Sequence, residues 1–273
     1  FRTCPDSLRV HHPPNKERAP VFSALEFPPI ENLVEWPAYF GEDTIFAFNK
    51  IALISVLAVV LPAIFFLLAK KEMVPSGVQN LVESTVEFVE KQVVLSAIGP
   101  ECLQYLPLLI IIFLYVFFGN IFEVIPTFQM PANARMANPV ILALVAWATF
   151  IAVGVKSQGF GGFMKSSLFP PGVPKALYIL VTPIEFLSTF LLRPFGLAVR
   201  LFANLLAGHI LLVTFGVLCI ALWQQSALIA VLPFSFVTLV GLTGFEVMVS
   251  LIQAFVFSLL TAVYISLSLH PHH

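Results

Sequence analysis

Long apolar tracts separated by short polar segments make up most of the chain after residue 45. Residues 50–69 and 103–125 are almost wholly apolar, and so are residues 139–155. A tract of about 17 to 25 apolar residues is long enough to cross the hydrocarbon layer of a bilayer as an α helix. The pattern therefore predicts three membrane-spanning helices over these ranges.

Residues 78–97 follow a different pattern, in which apolar and charged positions alternate at helical spacing. The valines and leucine recur every three to four residues, and the charged side chains occupy the remaining positions: Val78, Leu81, Val82, Val86, Val89 and Val93 against Glu83, Glu87, Glu90 and Lys91. This spacing is typical of an amphipathic helix. Apolar tracts lie on both sides of it, so we expect it to lie along the membrane surface.

The last hundred residues contain two tracts that are too long for single upright spans. Residues 176–222 would extend about 70 Å as one helix, more than twice the hydrocarbon thickness. Residues 227–269 are nearly as long. Each tract is therefore either two spans or one strongly tilted helix, and the short polar link makes the two tracts antiparallel neighbours. Together the tracts predict an all-α membrane protein of about four to six helices with a long, tilted C-terminal hairpin.

Composition agrees with a membrane protein and excludes several other classes. The chain of 273 residues is 59% hydrophobic and 11% charged, with a mean hydropathy of +0.94, which is too apolar for a soluble globular protein. The formal net charge of −1 and the lack of a basic stripe argue against nucleic acid as a partner. Cys4, Cys102 and Cys219 are scattered and suggest neither a disulfide framework nor a metal site. No cofactor is expected.

The ends of the chain and its glycine-rich stretch carry no enzyme motif. Residues 1–45 hold most of the polar character and are predicted to form an extramembrane arm; the start at Phe1 is interpreted as a processed terminus, with truncation as the alternative. Residues 157–163 (SQGFGGF) lack the Lys-Ser/Thr ending of a phosphate-binding loop and are predicted to be a turn. The histidines His270, His272 and His273 form a terminal group without a metal-ligand pattern.

Four charged side chains interrupt the two long tracts: Glu185, Arg193, Arg200 and Glu246. An ionised side chain at the centre of a membrane helix costs about 2.5 to 3.5 kcal/mol on insertion scales, so such residues usually line a cavity or meet a partner. Arg193 directly precedes Pro194, and a bend there would let its side chain reach the membrane surface. A structural role for Arg193 is therefore left open beside a functional one.

Arg200 has no such explanation. Asn204 lies one helical turn later, and that side of the helix is unusually small because it carries Gly196, Ala203, Ala207 and Gly208. Small side chains allow another helix to approach closely, so Arg200 is placed to reach a group on that helix. The alternative is an internal ion pair with Glu185 or Glu246 that only stabilises the bundle.

Polar residues also recur on the second tract. Glu246, Ser250 and Gln253 follow one another at helical spacing on one face of an otherwise apolar helix. Such a line is typical of a water-lined path, and a hydrogen-bonded seam between helices is the alternative. His209, taken alone, is more often an interior hydrogen-bonded group than a proton carrier.

At these residues the sequence resembles a known family. FGLAVRLFANLLAGH (residues 195–209) followed by FEVMVSLIQAFVFSLLTAVYISL (residues 245–267) closely resembles subunit a of the F-type ATP synthase. Weaker similarity runs through PSGVQNLVE and FGNIFEVIP, so the resemblance covers roughly residues 50–269. Residues 1–45 have no recognised counterpart.

The resemblance assigns roles to individual residues. It implies that Arg200 is the family's essential arginine facing the rotor ring of c subunits, with Asn204 and Gln253 as polar companions. It implies that His209 and Glu246 serve a proton half-channel, in line with Ser250. Glu185 would be the acidic residue of the preceding turns, although it lies one residue further from the arginine than is usual in the family. The small residues Gly196, Ala203 and Ala207 would then face the ring.

The resemblance also implies a function. The chain would be a proton-translocating stator subunit in which the essential arginine separates two aqueous half-channels, and proton flow would turn the ring against the tilted hairpin. It would not be an enzyme by itself and would not bind ATP. Its partners would be the c ring, the peripheral stalk and other membrane-sector subunits, lipid and H⁺. The order of histidine and glutamate, with the interpreted N-terminus, favours the mitochondrial inner membrane; the bacterial plasma membrane is the alternative.

Two other classes of protein remain as alternatives at this point. A self-contained proton or ion channel, or a secondary transporter, would conduct ions from the isolated chain. A purely structural membrane anchor would tolerate apolar replacements of its buried polar residues. Each alternative makes a prediction that differs from that of a stator subunit.

Overall fold

The computed structural model describes residues 50–69, 77–97, 99–125, 132–169, 177–224 and 229–269. Within these ranges the chain is helical and contains no strand, so the all-α prediction is confirmed. Five helices are long and apolar enough to cross a membrane, which agrees with the predicted number. The N-terminal arm and the link between the two long tracts lie outside the described residues.

The first three helices follow the apolar pattern. Helix α1 spans Lys50–Leu68. Helix α2 spans Val78–Val89 and continues into a π-helical turn, Glu90–Leu95; its buried side includes Val82 and Val89, whereas Glu83, Glu87 and Lys91 are exposed. A 3₁₀ turn, Pro100–Tyr105, leads into α3, Leu106–Ile121.

Helix α4 spans Ala137–Leu168 and contains a break at Gly159. Gly159 has φ 73°, a left-handed conformation that glycine adopts without the steric cost of a side chain. The helix thus runs beyond the expected end at Val155. The predicted turn in the glycine-rich stretch is confined to Gly159, where the chain breaks from the helix, and a second helical segment then folds Phe163 back against Gly154.

Each of the long C-terminal tracts forms one continuous helical rod. The first comprises α5, Tyr178–Leu187, a π-helical turn, Ser188–Leu192, and α6, Arg193–Gln224. The second comprises a 3₁₀ turn, Ile229–Val231, and α7, Leu232–Leu269. The π turn lies just before Pro194, which lacks the N–H that would close a regular α turn there.

Helix α7 is the centre of the bundle. It packs against α3, α4 and α6, and the largest hydrophobic core lies where these helices meet, around the buried side chains of Leu109, Leu201 and Phe257. The opposite sides of α5 and α6 expose many large apolar side chains, among them Ile179 and Phe195. Polar side chains that point toward α7 are thereby collected inside the bundle.

Candidate functional site

The polar line on α7 is buried between helices. Glu246, Ser250 and Gln253 expose only 4%, 1% and 3% of their surface, although the segment around them is apolar. The Gln253 Oε1 atom accepts a hydrogen bond from Asn204 Nδ2 on α6 at 2.8 Å. This bond fixes the register of α6 against α7 one turn after Arg200.

Gly208 provides the space in which the Glu246 carboxyl group lies. A Cβ atom built on Gly208 would be 2.5 Å from Cδ of Glu246, far inside the contact distance of two carbon atoms. Any larger residue at position 208 would therefore require the Glu246 carboxyl group to shift. Gly208 and Glu246 are 38 residues apart in the chain, and only the packing of the hairpin brings them together.

Glu123 is a further member of this cluster, and the sequence analysis did not select it. It follows the end of α3 and exposes 3% of its surface; its Oε1 atom lies 3.7 Å from Nδ1 of His209 on α6. The Glu123 and Glu246 carboxyl groups are close enough for their charges to interact. The available signal was an isolated acidic residue at the end of a long apolar tract, in a segment (FGNIFEVIP) that already resembled the family.

Two buried asparagines extend the cluster toward the segment between α3 and α4. Asn120 and Asn133 are fully buried, and Asn133 Nδ2 donates a hydrogen bond of 2.8 Å to Asn120 Oδ1. Asn133 lies in a short 3₁₀ turn, Ala132–Ala134, which packs against α1, α4 and α6. Asn138, six residues after Ala132, donates to the Ala132 carbonyl and to Ser55 on α1, each at 2.7 Å.

Several polar atoms of this cluster have no hydrogen-bond partner in the described part of the protein. They are Asn120 Nδ2, Asn133 Oδ1, both carboxyl oxygens of Glu123, Glu246 Oε2, Ser250 Oγ and Gln253 Nε2. A buried polar atom without a partner costs about 1 to 3 kcal/mol. Buried polar atoms of this kind are commonly satisfied by bound water.

Arg200 lies on the open side of α6. Its side chain is exposed, as are those of Asn204 and the small residues of that side: Gly196, Ala203 and Ala207. Within the described helices the Arg200 guanidinium makes no ion pair or hydrogen bond, so the internal pair with Glu185 or Glu246 is not present. The guanidinium of Arg200 thus faces outward, one helical turn before the Asn204–Gln253 hydrogen bond.

The other two charged residues of the long tracts, Glu185 and Arg193, precede Arg200 in the same helical rod. Glu185, on α5, is partly exposed and makes no ion pair with either arginine. Arg193 begins α6, and its Cζ atom lies 5.3 Å from the ring centroid of Tyr264 and 6.0 Å from that of Phe150. Arg193 is therefore partly buried against two aromatic rings.

The site thus combines three elements with distinct chemistry. One imidazole and two carboxyl groups, each able to hold or release a proton, meet inside the bundle. Polar side chains lead from them toward α1 and toward Gln253. A permanently charged guanidinium stands beside this line on an exposed helix face.

Comparisons with known proteins agree on one family. The chain is 42% identical over 231 residues to ATP synthase subunit a of Rhodococcus erythropolis (strain PR4), covering 82% of this chain and 84% of that protein. It is 38% identical over 220 residues to ATP synthase subunit a of Frankia alni, covering 80% and 76%. It is 35% identical over 265 residues to ATP synthase subunit a of Streptomyces lividans, covering 93% and 92%.

These relatives are bacterial, so the expected mitochondrial location is not supported and the bacterial plasma membrane fits better. The order of His209 and Glu246 does not indicate the compartment. The profile of the ATP synthase A chain family matches residues 51–266, which include every helix of the bundle. With five apolar helices across the membrane, the chain belongs to this family, that of subunit a in the membrane sector of the F-type ATP synthase.

Proposed function

We propose that the chain forms two proton half-channels in the bacterial plasma membrane and couples proton flow to the rotation of a ring of c subunits. The observation that carries the proposal is the contrast between Arg200 and the buried cluster. A cation that pairs with no acid in the described part of the chain stands on a face of small residues, next to a line of buried groups that can carry protons. A moving carboxyl group on a neighbouring ring would complete this arrangement.

The His209 and Glu246 cluster forms the first half-channel. Glu123 and His209 receive protons from the direction of Asn120 and Asn133, and Glu246 passes them to the exposed side of α6. The unpaired atoms of the line give water molecules and protons several places to bind. Asn204 and Gln253 hold the two helices together at the inner end of this path.

The distribution of positive charges indicates to which side this half-channel opens. The ends of α1, α4 and α7 share one side, which carries six lysines in the flanking segments: Lys70, Lys71, Lys91, Lys156, Lys165 and Lys175. On the other side, with the segment between α3 and α4, the basic residues within about 20 residues of a span are Lys50 and Arg135. Positive residues accumulate on the cytoplasmic side, so the asparagine end of the path faces outward.

Glu185 belongs to the second half-channel, on the lysine-rich side. It lies fifteen residues before Arg200, one more than the usual family spacing. The π turn Ser188–Leu192 holds one residue more than an α turn, because its hydrogen bonds span five residues. Around the helix axis, Glu185 therefore points in the direction that a residue fourteen positions before Arg200 would have in a regular α helix. The π turn thus compensates for the one residue by which Glu185 exceeds the usual family spacing.

Arg200 separates the two paths by electrostatics. A guanidinium that stays charged at any physiological pH stabilises a ring carboxylate as it passes, so the carboxyl group releases its proton. The same charge repels protons that would pass directly between the half-channels. Each elementary charge crossing the membrane releases about 2.3 kcal/mol per 100 mV, and a leak here would lose that energy without rotation. A lysine would titrate more readily in apolar surroundings.

In this proposal the chain takes no direct part in nucleotide chemistry. The sequence has no phosphate-binding loop, and its buried polar groups suit proton exchange. ATP is bound and formed elsewhere in the complex. The peripheral stalk holds this chain against the ring, and the N-terminal arm is a candidate for that contact.

Replacement of Arg200 by alanine tests the proposal directly. We expect Arg200→Ala to abolish proton-driven ATP synthesis in inverted membrane vesicles, whereas the complex still assembles, because the side chain is exposed and makes no ion pair within the described helices. Lys156→Ala, which removes an exposed cation outside the cluster, serves as the control and is expected to retain synthesis. Normal synthesis by the Arg200→Ala complex would refute the proposal.

A second measurement distinguishes a stator subunit from a self-contained channel. The purified chain is reconstituted alone into liposomes, and proton flux is followed with an interior pH dye under an imposed potential. We expect almost no flux, since neither half-channel crosses the membrane without a ring carboxyl group to carry the proton between them. Rapid flux from the isolated chain would favour the channel.

A further inference from the structure

Arg193 occupies an aromatic cage at the start of α6. Its guanidinium carbon lies 5.3 Å from the ring centroid of Tyr264 on α7 and 6.0 Å from that of Phe150 on α4. The two rings also contact each other, with centroids 6.1 Å apart and planes inclined by 57°. In the described part of the chain no acid pairs with Arg193, so the rings are its main electrostatic partners.

A cation over aromatic faces is held more strongly as water is excluded. Phe150 is 1% exposed, and Tyr264 and Arg193 are both partly buried. The cage therefore joins α4, α6 and α7 at one point. An arginine favours such a site more than a lysine does, because its planar group stacks on rings and is weakly hydrated.

The cage lies at the junction between the π turn and α6. The π turn Ser188–Leu192 ends directly before Arg193, and Pro194 follows it without an N–H to donate. The backbone continues through the π turn, where the Arg193 N–H donates to the Ser188 carbonyl oxygen, but this junction holds fewer regular α-helical hydrogen bonds than the rest of the rod. Tertiary contacts of Arg193 therefore add to the backbone in fixing the rotation of α6 relative to α5.

The rotation of α6 at Arg193 determines the direction of Arg200. The two arginines are seven residues apart, about two turns, and lie within about 20° of each other around the helix axis. Leu197, Ala198 and Leu201, in the same two turns, are all buried. A rotation of α6 would expose part of this buried set and turn Arg200 away from the open face.

We propose that Arg193 is a positioning residue, whose cation–π contacts with Tyr264 and Phe150 fix the rotation of α6 and hence the orientation of Arg200. This inference rests on the proposed role of Arg200 in proton transfer. It assigns no proton-carrying role to Arg193 itself. Its effect on coupling passes through helix orientation.

The test is a double-mutant cycle in the assembled complex in inverted vesicles. We measure the ratio of proton pumping to ATP hydrolysis. Arg193→Leu and Tyr264→Leu are each expected to lower the ratio about tenfold, and the double variant is expected to be no worse than either. Arg193→Lys and Tyr264→Phe, which keep a cation and a ring, are expected to retain more than half of the ratio.

The control removes an aromatic ring from the same rod without touching the cage. Phe186 stacks on Phe190, with ring centroids 5.0 Å apart, and is not in contact with Arg193. Phe186→Leu is therefore expected to leave the ratio unchanged. Wild-type ratios for both leucine variants of the cage, or a hundredfold loss in the double variant, would overturn the inference.

A labelling measurement detects the rotation itself. Ala198 is replaced by cysteine in a background without the native cysteines, and the membranes are treated with a membrane-permeant maleimide. The buried position is expected to be protected in the parent and labelled in the Arg193→Leu variant. Loss of coupling without increased labelling would mean that Arg193 does not act through helix rotation, which also overturns the inference.

Two further arms keep the outcomes separate. Arg200→Ala is measured in the same preparation, and if this variant retains coupling, the proposed function fails. If Arg200→Ala loses coupling but Arg193→Leu behaves as the wild type, only the positioning role of Arg193 is refuted. If Arg193→Leu does not assemble, the comparison of Tyr264→Phe with Tyr264→Leu decides. Equal ratios for that pair would refute the cage.

Discussion

Gly208 offers the sharpest test of the buried cluster, because one methyl group there would displace the Glu246 carboxyl group. A Cβ on Gly208 would lie 2.5 Å from Cδ of Glu246, and carbon atoms are in favourable contact at about 3.5 to 4.0 Å. The carboxyl group of a Gly208→Ala variant must therefore move by about 1 to 1.5 Å. This displacement changes its position relative to His209 and Glu123.

The effect on stability is expected to be small. Overpacking a buried site costs about 1 to 3 kcal/mol, and replacing a helical glycine by alanine returns about 1 kcal/mol. The effect on proton transfer is expected to be larger, because a displacement of about 1 Å at a reacting group can lower a rate about 100-fold. We expect ATP-driven proton pumping to fall about 10- to 100-fold while the complex still assembles.

The assay is quenching of a pH-sensitive dye by inverted vesicles, normalised to the amount of assembled complex. Gly216→Ala is the matched control: it lies on the same helix, and a Cβ built there has no atom within 4 Å. Glu246→Asp in the Gly208→Ala background shortens the acidic side chain by one methylene group and is expected to restore part of the activity. Equal pumping by Gly208→Ala and Gly216→Ala would show that the close approach does not matter.

Three other predictions follow from named contacts. Glu246→Gln is expected to slow proton translocation and to shift its pH profile, measured as pumping rate from pH 6 to 9 in about half-unit steps; an unchanged profile would make Glu246 a structural residue. Glu123→Gln keeps the shape of the side chain but removes its ability to exchange a proton, so we expect about a 100-fold loss of pumping, at the low end for removal of a proton-transferring group; wild-type pumping would exclude Glu123 from the path. Gly154→Ala would bring a Cβ into the Phe163 ring, and we expect a destabilisation of about 1 to 3 kcal/mol in thermal denaturation of the detergent-solubilised complex; a higher midpoint than that of the wild type would contradict this.

Much of the architecture could be predicted from one-dimensional patterns. The membrane spans follow from the length of apolar tracts, since hydrocarbon thickness sets the number of residues that a span requires. The amphipathic segment follows from helical periodicity between Val78 and Val93. The unusual position of Arg200 follows from its isolation among apolar and small residues, which no neighbour in the sequence compensates.

The composition of the buried cluster could not be predicted in the same way. Glu123 and His209 are 86 residues apart, and no local pattern relates them. Their proximity results from the packing of α3 and α6 around α7, which involves many side chains at once. The same is true of the Asn120 and Asn133 pair, because the 3₁₀ turn Ala132–Ala134 packs against the helices of the bundle.

Helix breaks are an intermediate case. Pro183 and Pro194 indicate a disturbance in the first long tract, because a proline removes a hydrogen-bond donor. A proline does not specify whether the helix kinks, ends or takes up a π turn, and here the contacts of α5 and α6 with α4 accompany the π turn. Gly159 likewise signals flexibility, whereas the packing of Phe163 on Gly154 accompanies the sharp reversal.

Residue types and their order were sufficient to establish a helical membrane protein, the length of its spans and the isolated charge of Arg200, because the cost of placing a polar group in hydrocarbon acts on each residue separately. Which side chains those polar groups contact was decided by the tertiary structure. Glu123 beside His209, Glu246 against Gly208 and Arg193 between two rings are contacts across helices, and such contacts depend on how whole helices pack.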